Sequence, residues 1–207
     1  VTAAEAVQVV KSGDRVYVQA AAATPTILTK ALTDRASELR NVELCHLHTE
    51  GDAPYANPEL AESFHVNSFF IGANVRHTLK AGNGSYTPVF LSELPLLFRK
   101  NVVKLDVAFI HVSPPDSHGY CSLGVSVEAS VAAIENAKIV VAQVNPQMPR
   151  TFGDGILHVS EIDYLVDVNL PIFAHDVTPF TTEEEKIGTY VASLIEDKST
   201  LQMGIGS

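Results

Sequence analysis

The sequence lacks the features that mark several classes of protein. It has no tryptophan, two cysteines, and only 14 basic side chains against 24 acidic ones, which gives a formal net charge of −10. This negative charge argues against binding to the phosphate backbone of nucleic acids. No apolar run approaches the ~18 residues of a membrane span, and the first residues do not read as a secretory signal. We therefore expect a cytoplasmic protein that binds neither nucleic acid nor membrane.

Metal-binding patterns are equally scarce. Cys45 and Cys121 are too far apart in sequence for a metal or redox motif. His46, His48 and Glu50 alternate along a predicted strand and could converge on a metal ion. No fourth ligand is indicated, so the simpler interpretation is a set of polar residues at the end of a sheet. We predict no metal site.

Segments with helical and strand periodicity alternate along the chain. Strands are predicted at 15–20, 42–47, 66–71, 87–91, 107–112, 138–144 and 164–168. Helices are predicted at 3–11, 25–38, 94–98, 129–137 and 182–195. A Gly-Asp-Gly turn at 153–155 predicts a hairpin. This order predicts an α/β fold, a mostly parallel doubly wound sheet with helices on both faces and a small antiparallel appendage.

Two loops at predicted strand ends are candidates for lining a substrate site. Residues at the end of the strand at 15–20 and in the loop that follows it are Gln19, Ala20, Ala21 and Thr24. Its small side chains leave the backbone accessible to a ligand, but tight helix–sheet packing would require the same residues. Residues of the second loop, after the strand at 107–112, are Pro115, His118 and Gly119. Such folds place ligands beyond the carboxyl ends of parallel strands, although prolines also suit a simple turn.

Two further motifs are weaker. The stretch Gly124-Val125-Ser126-Val127-Glu128 has the outline of a nucleophile elbow, but Glu128 replaces the second glycine that the sharp turn needs. Ser126 is therefore expected to be a loop residue or a helix cap. The stretch Gly82-Asn83-Gly84-Ser85 is not followed by a helical pattern, so we expect a turn there rather than a phosphate cradle.

The end of the sequence, Gly204-Ile205-Gly206-Ser207, is a Gly-x-Gly loop after a predicted strand. Because serine is a common helix N-cap, a helix is expected to follow, and we expect the chain to be a fragment of a longer protein. The stretch at 194–207 also aligns without a gap on the stretch at 9–22. This similarity is either a tandem duplication or the chance likeness of two strand–loop units.

Seven motifs extend over nearly the whole chain. They are VKSGDRV at 10–16, NSFFIG at 67–72, YTPVFLSE at 86–93, LDVAFIHVSPPD at 105–116 with HGY and SLG after it, AQVN and MPRT at 142–151, IDYLVD at 162–167, and GIG at 204–206. In combination they resemble the acetyl-CoA hydrolase/4-hydroxybutyrate CoA-transferase family. The resemblance implies a class I CoA-transferase-like half, in a family built of two similar α/β halves with the active site between them.

This resemblance also implies a domain division and a mechanism. Residues 1–195 would form the N-terminal domain, and residues 196–207 the first strand and Gly-x-Gly loop of a second, similar domain. In the family a glutamate of the second half attacks the acyl-CoA and then carries CoA as a glutamyl-CoA thioester. No residue of this chain matches that nucleophile, so no catalytic residue is assigned. The start of the family's CoA-binding loop corresponds to Gly204, Ile205, Gly206 and Ser207.

The expected function follows from this resemblance. The chain would be the N-terminal half of a CoA-transferase that moves CoA between acetyl-CoA and an acid such as 4-hydroxybutyrate or acetate, and it would be inactive alone. Acyl-CoA and a short-chain carboxylate would be substrates, with no tightly bound cofactor. A C-terminal half would be its partner, and an exposed apolar surface predicts a homo-oligomer. The alternatives are half of an acetyl-CoA hydrolase, or a non-catalytic module that binds a small ligand or a partner.

Overall fold

The structure is a computed structural model that describes residues 1–175, 179–202 and 204. Residue contacts divide the chain into two compact units, Val1–Phe173 and Ala174–Ser207. The predicted boundary after residue 195 stays a prediction. No helix among the described residues is long and apolar enough to cross a membrane.

A parallel sheet of seven strands dominates the described part of the first unit. Its strands are β1 (Arg15–Val18), β2 (Val42–His46), β3 (Phe64–Ser68), β4 (Gly84–Tyr86), β5 (Leu105–Val112), β7 (Ala137–Val144) and β9 (Tyr164–Asp167). Two short strands, β6 (Tyr120–Ser122) and β8 (Ile156–His158), form a separate antiparallel pair. The predicted fold class is therefore confirmed, including the antiparallel appendage.

The order of the strands in the large sheet is β4-β3-β2-β1-β5-β7-β9. The chain starts in the middle at β1, winds outward to β4, and returns to the other side of β1 with β5. The β1–β5 pair is therefore the switch point of the sheet. In open α/β folds the carboxyl ends of the strands at such a point form the crevice that binds ligands.

Helices cover both faces of this sheet. In the first unit these helices are α1 (Ala3–Ala6), α2 (Thr26–Thr33), α3 (Thr78–Ala81), α4 (Leu94–Arg99) and α5 (Ser130–Asn136). The second unit contains α6 (Thr182–Ala192). Successive side chains of β1 point to opposite faces. Val16 and Val18 pack in one core with α1 and α2, whereas Tyr17 packs in another with α4 and α5.

Two predicted elements at the margins of the sheet are wrong. The predicted strand at 87–91 is instead β4, three residues earlier, which pairs with β3 through Val66–Ser68. Pro88 has no N–H group to continue the ladder, which ends after the Thr87 N–H donates to Ser68. The predicted hairpin at 153–155 does not form, because β8 pairs with β6 and the Gly155 carbonyl accepts from the Leu123 N–H.

The second unit contains α6, which begins as its sequence predicts. The Thr181 hydroxyl accepts from the Glu184 N–H, and the Glu184 carboxylate accepts from the Thr181 N–H. This reciprocal capping box satisfies two backbone donors at the helix start. Beyond the helix, Leu201 and Gln202 belong to no regular element. The rest of the strand predicted before the Gly-x-Gly loop lies outside the described residues.

Candidate functional site

Gln19 lies directly after β1, at the switch point of the sheet. Its side chain is fully buried. Its Nε2 donates to the carbonyl oxygens of Leu123 at 3.1 Å and Ser126 at 2.7 Å, and its Oε1 accepts from the His111 N–H at 2.6 Å. The amide thus fixes the loop after β6 to the carboxyl ends of β1 and β5.

Glu128 lies at the far end of that loop, just before α5. Its Oε2 accepts from the Ser126 hydroxyl at 2.7 Å, and its Oε1 is buried and accepts no hydrogen bond from a described residue. Burial raises the pKa of this carboxyl, although the Ser126 hydroxyl, His48 and the Ala20 N–H favour its charged form. Ser126 is therefore bound to a buried acid, as a loop residue rather than as a nucleophile beside a histidine base.

The remaining residues of the first predicted loop form a tight turn between the ends of β1 and β2. Ala20 is buried, and Ala21 has a left-handed backbone with a φ of 51°. The Ala21 N–H donates to the His48 carbonyl at 2.8 Å. Thr24 Oγ1 donates to the Ala21 carbonyl at 2.7 Å and accepts from the Glu50 N–H at 3.0 Å. The structure thus brings Gln19, Ala20, Ala21 and Thr24 together at one edge of the sheet.

Two polar residues support this edge from within the sheet. His111 of β5 and Gln143 of β7 are buried, and Gln143 Nε2 lies 3.3 Å from His111 Nε2. Gln143 Oε1 accepts from the Ile27 N–H at the start of α2. Burial lowers the pKa of His111 to about 4, although the backbone at Ala23 and Thr24 favours the charged ring. Both residues interrupt apolar strands, and this interruption is the sequence feature that could have revealed them.

His46 occupies a closed environment rather than a metal site. Its ring is fully buried between the Leu47 carbonyl and the Tyr55 hydroxyl, with Nε2 3.1 Å from the hydroxyl oxygen. Burial lowers its pKa to about 4. Across the part of the chain that the structure describes, no three His, Cys, Asp or Glu side chains are grouped to hold a metal ion.

The second predicted loop, with Pro115, His118 and Gly119, is more exposed. Asp116 holds it by accepting from the His118 N–H at 2.9 Å and by pairing with Arg150 at 2.8 Å. At Gly119, which has a φ of 85°, an added Cβ would lie 2.6 Å from His158 Nε2. Hydrogen bonds between described residues do not join this loop directly to the Gln19 loop. The connection runs through β6 and Leu123, whose carbonyl binds Gln19.

The predicted CoA loop is almost entirely outside the described residues. Gly204 is described, and a Cβ added to it would meet no atom within 4 Å. Ile205, Gly206 and Ser207 lie outside the described part. Their assignment to CoA binding stays a prediction.

Two clefts flank this edge of the sheet. One of about 510 Å³ lies between α2 and the segment at 50–55, where Thr26 and Tyr55 contribute to its walls. The other, of about 440 Å³, lies between α4 and α5 and is lined in part by Glu128 and Asp154. Glu128 is thus a titratable residue that lies both beside the switch point and in the wall of a cleft, and the sequence patterns alone did not select it.

Comparison with known proteins places this architecture in a family. Residues 1–174 match the family model described as acetyl-CoA hydrolase/transferase N-terminal domain. The succinyl-CoA:acetate/propanoyl-CoA:succinate CoA transferase of Fasciola hepatica is 44% identical over 200 residues, which are 95% of this chain and 41% of that protein. The 4-hydroxybutyrate coenzyme A transferase of Clostridium kluyveri is 40% identical over 207 residues, which are 100% of this chain and 48% of that protein.

Solved structures agree with this placement. The 4-hydroxybutyrate CoA-transferase of Porphyromonas gingivalis superposes with a TM-score of 0.83 at 36% identity, over all of this chain and 48% of that one. RipA of Yersinia pestis gives a TM-score of 0.92 at 30% identity, over all of this chain and 50% of that one. The chain therefore spans about half the length of the relatives it matches, and it belongs to the acetyl-CoA hydrolase/transferase family, as a match to its N-terminal domain.

Proposed function

We propose that this chain acts as the N-terminal half of a CoA-transferase that moves CoA between a short-chain acyl-CoA and a carboxylic acid. The observation that carries the proposal is the match of residues 1–174 to the N-terminal domain of the family, together with relatives named as CoA-transferases. The buried polar groups at the β1–β5 switch point support it, because that edge is where such folds bind ligands.

In this proposal the chain supplies one wall of the active site and a second half supplies the other. The nucleophile would be a glutamate of the second half, which attacks the acyl-CoA and releases CoA to form an acyl–glutamyl anhydride. The CoA thiolate then attacks the glutamyl carbonyl of this anhydride, which gives the glutamyl-CoA thioester and releases the donor acid as its carboxylate. The acceptor carboxylate attacks this thioester and displaces CoA, and the CoA thiolate attacks the acyl carbon of the new anhydride, which forms the product acyl-CoA and frees the glutamate. Within this chain, the turn at Ala21 and Thr24 and the loop at Glu128 would shape the acyl end of the site.

A coupled assay tests the transfer. The polypeptide that joins this chain to the second half expected from the family is incubated with acetyl-CoA and, separately, butyrate, propionate and 4-hydroxybutyrate. Chromatography then separates the acyl-CoA products. We expect a new acyl-CoA that matches the added acid, because transfer conserves the thioester. Intact-protein mass spectrometry should detect CoA on the chain when the acceptor is withheld.

The hydrolase alternative gives a different product under the same conditions. If water replaced the acceptor acid, free CoA and acetate would accumulate at the same rate with or without added acid. No new acyl-CoA would form. That outcome, or the absence of both reactions, would contradict the transferase proposal.

A further inference from the structure

The Glu128 carboxyl is an unusual group in this fold, because it is buried, acidic and incompletely bonded. Its Oε2 has the Ser126 hydroxyl at 2.7 Å, while its Oε1 is buried with no hydrogen-bond partner among the described residues. Buried polar atoms nearly always have a partner, so an oxygen without one calls for a functional explanation. A structural role in the Ser126 contact explains only the other oxygen.

The loop that carries Glu128 is held rigidly at the switch point. Gln19 binds the carbonyls of Leu123 and Ser126 and also the backbone of His111, so β1, β5 and the loop share one buried amide. The Ala20 N–H is near enough to the carboxyl to favour its charged form. Because the Gln19 amide holds its loop and the Ala20 N–H lies near its oxygens, the Glu128 carboxyl is preorganised, as a group that contacts a substrate should be.

Among the groups around Glu128, none affects the pKa of its carboxyl as strongly as burial does. His48, after β2, favours the carboxylate, and Tyr17 of β1 faces it with a hydroxyl whose own pKa is raised by burial and by Glu128. Arg99, Glu135 and Asp154 line the same cleft. The Arg99 guanidinium is already paired with Glu135 at 2.8 Å. Burial therefore raises the pKa of Glu128 above its ordinary value, which makes protonation easier when a ligand binds.

A neutral acid at this place can do what a carboxylate cannot. Protonated on Oε1, it becomes a hydrogen-bond donor. The substrates of the proposed reaction offer two oxygen acceptors of this kind: the carbonyl of a thioester and the carboxylate of the acceptor acid. A bound carboxylate would favour protonation further, because two adjacent negative charges repel each other.

We propose that Glu128 is a substrate-contacting residue, whose Oε1–H donates a hydrogen bond to an acyl oxygen bound at the β1–β5 switch point. This inference rests on the proposed CoA-transferase function and deepens it, by assigning a contact to the N-terminal half. The two possible sources of the oxygen, the thioester and the free carboxylate, are distinguished by the test.

The kinetic test uses the two-half polypeptide with Glu128→Gln and Glu128→Leu. Glutamine keeps a neutral donor of nearly the same shape, so we expect kcat/KM within about threefold of the parent. Leucine removes the donor and should lower kcat/KM about ten- to a hundredfold, the effect of one lost hydrogen bond to a substrate. A rise in KM confined to the carboxylate identifies the acceptor acid as the partner, and a rise confined to acyl-CoA identifies the thioester. Glu62→Leu, an exposed residue, is the control.

A spectroscopic test does not depend on turnover or on the leucine variant folding. In protein labelled with ¹³C at glutamate carboxyls, the resonance missing from Glu128→Gln is assigned to Glu128 and titrated with and without butyrate or acetyl-CoA. We expect its midpoint to lie above the ordinary value of a glutamate and to move when a ligand binds. Full activity of Glu128→Leu, equal losses in both variants, or a midpoint that saturating ligand leaves unmoved would overturn the inference. If the parent shows no transfer, the proposed function fails, and the ligand-dependent titration still reports on the contact.

Discussion

At the scale of single residues, His46 shows what burial does to a titratable group. Its Nδ1 faces the Leu47 carbonyl and its Nε2 the Tyr55 hydroxyl, so both ring nitrogens are occupied in the neutral form. Tyr55 is in turn bonded to Thr49, which completes a closed network. Burial lowers the pKa of His46 to about 4, well below the ~6.5 of an exposed histidine.

This shift makes stability depend on pH in a defined direction. Because the folded pKa lies below the unfolded one, the stabilisation is fully present above pH ~6.5 and is lost as the pH falls toward 4. At pH 5.5 the unfolded state gains about 1.4 kcal/mol from protonating this one histidine. Urea unfolding of the chain at pH 7.5 and 5.5 measures the loss.

Two variants isolate the contribution of His46 from that of other titrating groups. Glu43 and Asp106 have lowered pKa values and add their own losses at lower pH. In His46→Gln the change in unfolding free energy between the two pH values should be smaller than in the parent by about 1.4 kcal/mol. His118→Gln, at an exposed histidine, should change like the parent. Equal pH dependence in all three proteins would contradict the prediction.

Residues of the candidate site were predictable from the sequence only in part. The small-residue turn at Ala21 and Thr24 was predicted, because its position between a strand and a helix is visible in the pattern. Gln19 was predicted as a lining residue, and the structure places it inside, where it binds three backbone groups. Glu128 was missed because its unpaired oxygen arises from tertiary burial, which local periodicity does not encode.

At the scale of elements, the loop between β6 and α5 depends on one glycine. Gly124 has a φ of 67°, and a Cβ there would lie 2.1 Å from Met148 Sδ and 3.2 Å from the Pro149 carbonyl oxygen. Gly124→Ala therefore adds a left-handed alanine and an overpacked contact. We expect it to lower the unfolding free energy by about 3 kcal/mol, roughly 1 from the backbone and 2 from the contact.

Gly13→Ala is the matched control for this prediction. Gly13 has a similar φ of 83°, but an added Cβ would meet nothing within 4 Å, so only the backbone cost of about 1 kcal/mol should appear. Met148→Ala in the Gly124→Ala background should recover part of the loss, since these neighbours share one space. Thermal or urea unfolding measures all four proteins. Equal losses of unfolding free energy in the two glycine variants would contradict the prediction, because they would show that the Met148 side chain moves aside at no cost.

Prediction of the elements succeeded in the centre of the sheet and failed at its margins. The strands β5 and β7 carry long apolar runs, and such runs identify buried parallel strands. The edge strand β4 has only three residues, and its place is set by pairing with β3. The Gly-Asp-Gly turn predicted a local hairpin, but β8, the strand after it, pairs with β6 instead. The position of β4 and the pairing of β8 are both set by strands distant in sequence, which local patterns do not reveal.

At the scale of the whole molecule, folding and the proposed reaction require different parts of the protein. The first unit has apolar cores on both faces of its sheet, so we expect it to fold without residues beyond it. The proposed reaction requires a nucleophile that family resemblance places in a second half. The chain spans only 41% to 50% of the relatives named above.

The 207-residue chain on its own should therefore fold cooperatively but show no CoA transfer. Covalent catalysis needs its nucleophile within about half an ångström of the productive geometry, and no carboxylate of one wall can meet that demand without the other. Circular dichroism during urea unfolding tests the first statement, with a single transition as the expected result.

Acetyl-CoA mixed with butyrate, propionate and 4-hydroxybutyrate tests the second statement, that the chain alone transfers no CoA. The two-half polypeptide serves as the positive control, and heated protein gives the uncatalysed background. Acyl exchange by the chain alone, above that background and abolished by heating, would mean that this half contains its own nucleophile, and Glu128 would be the first residue to replace.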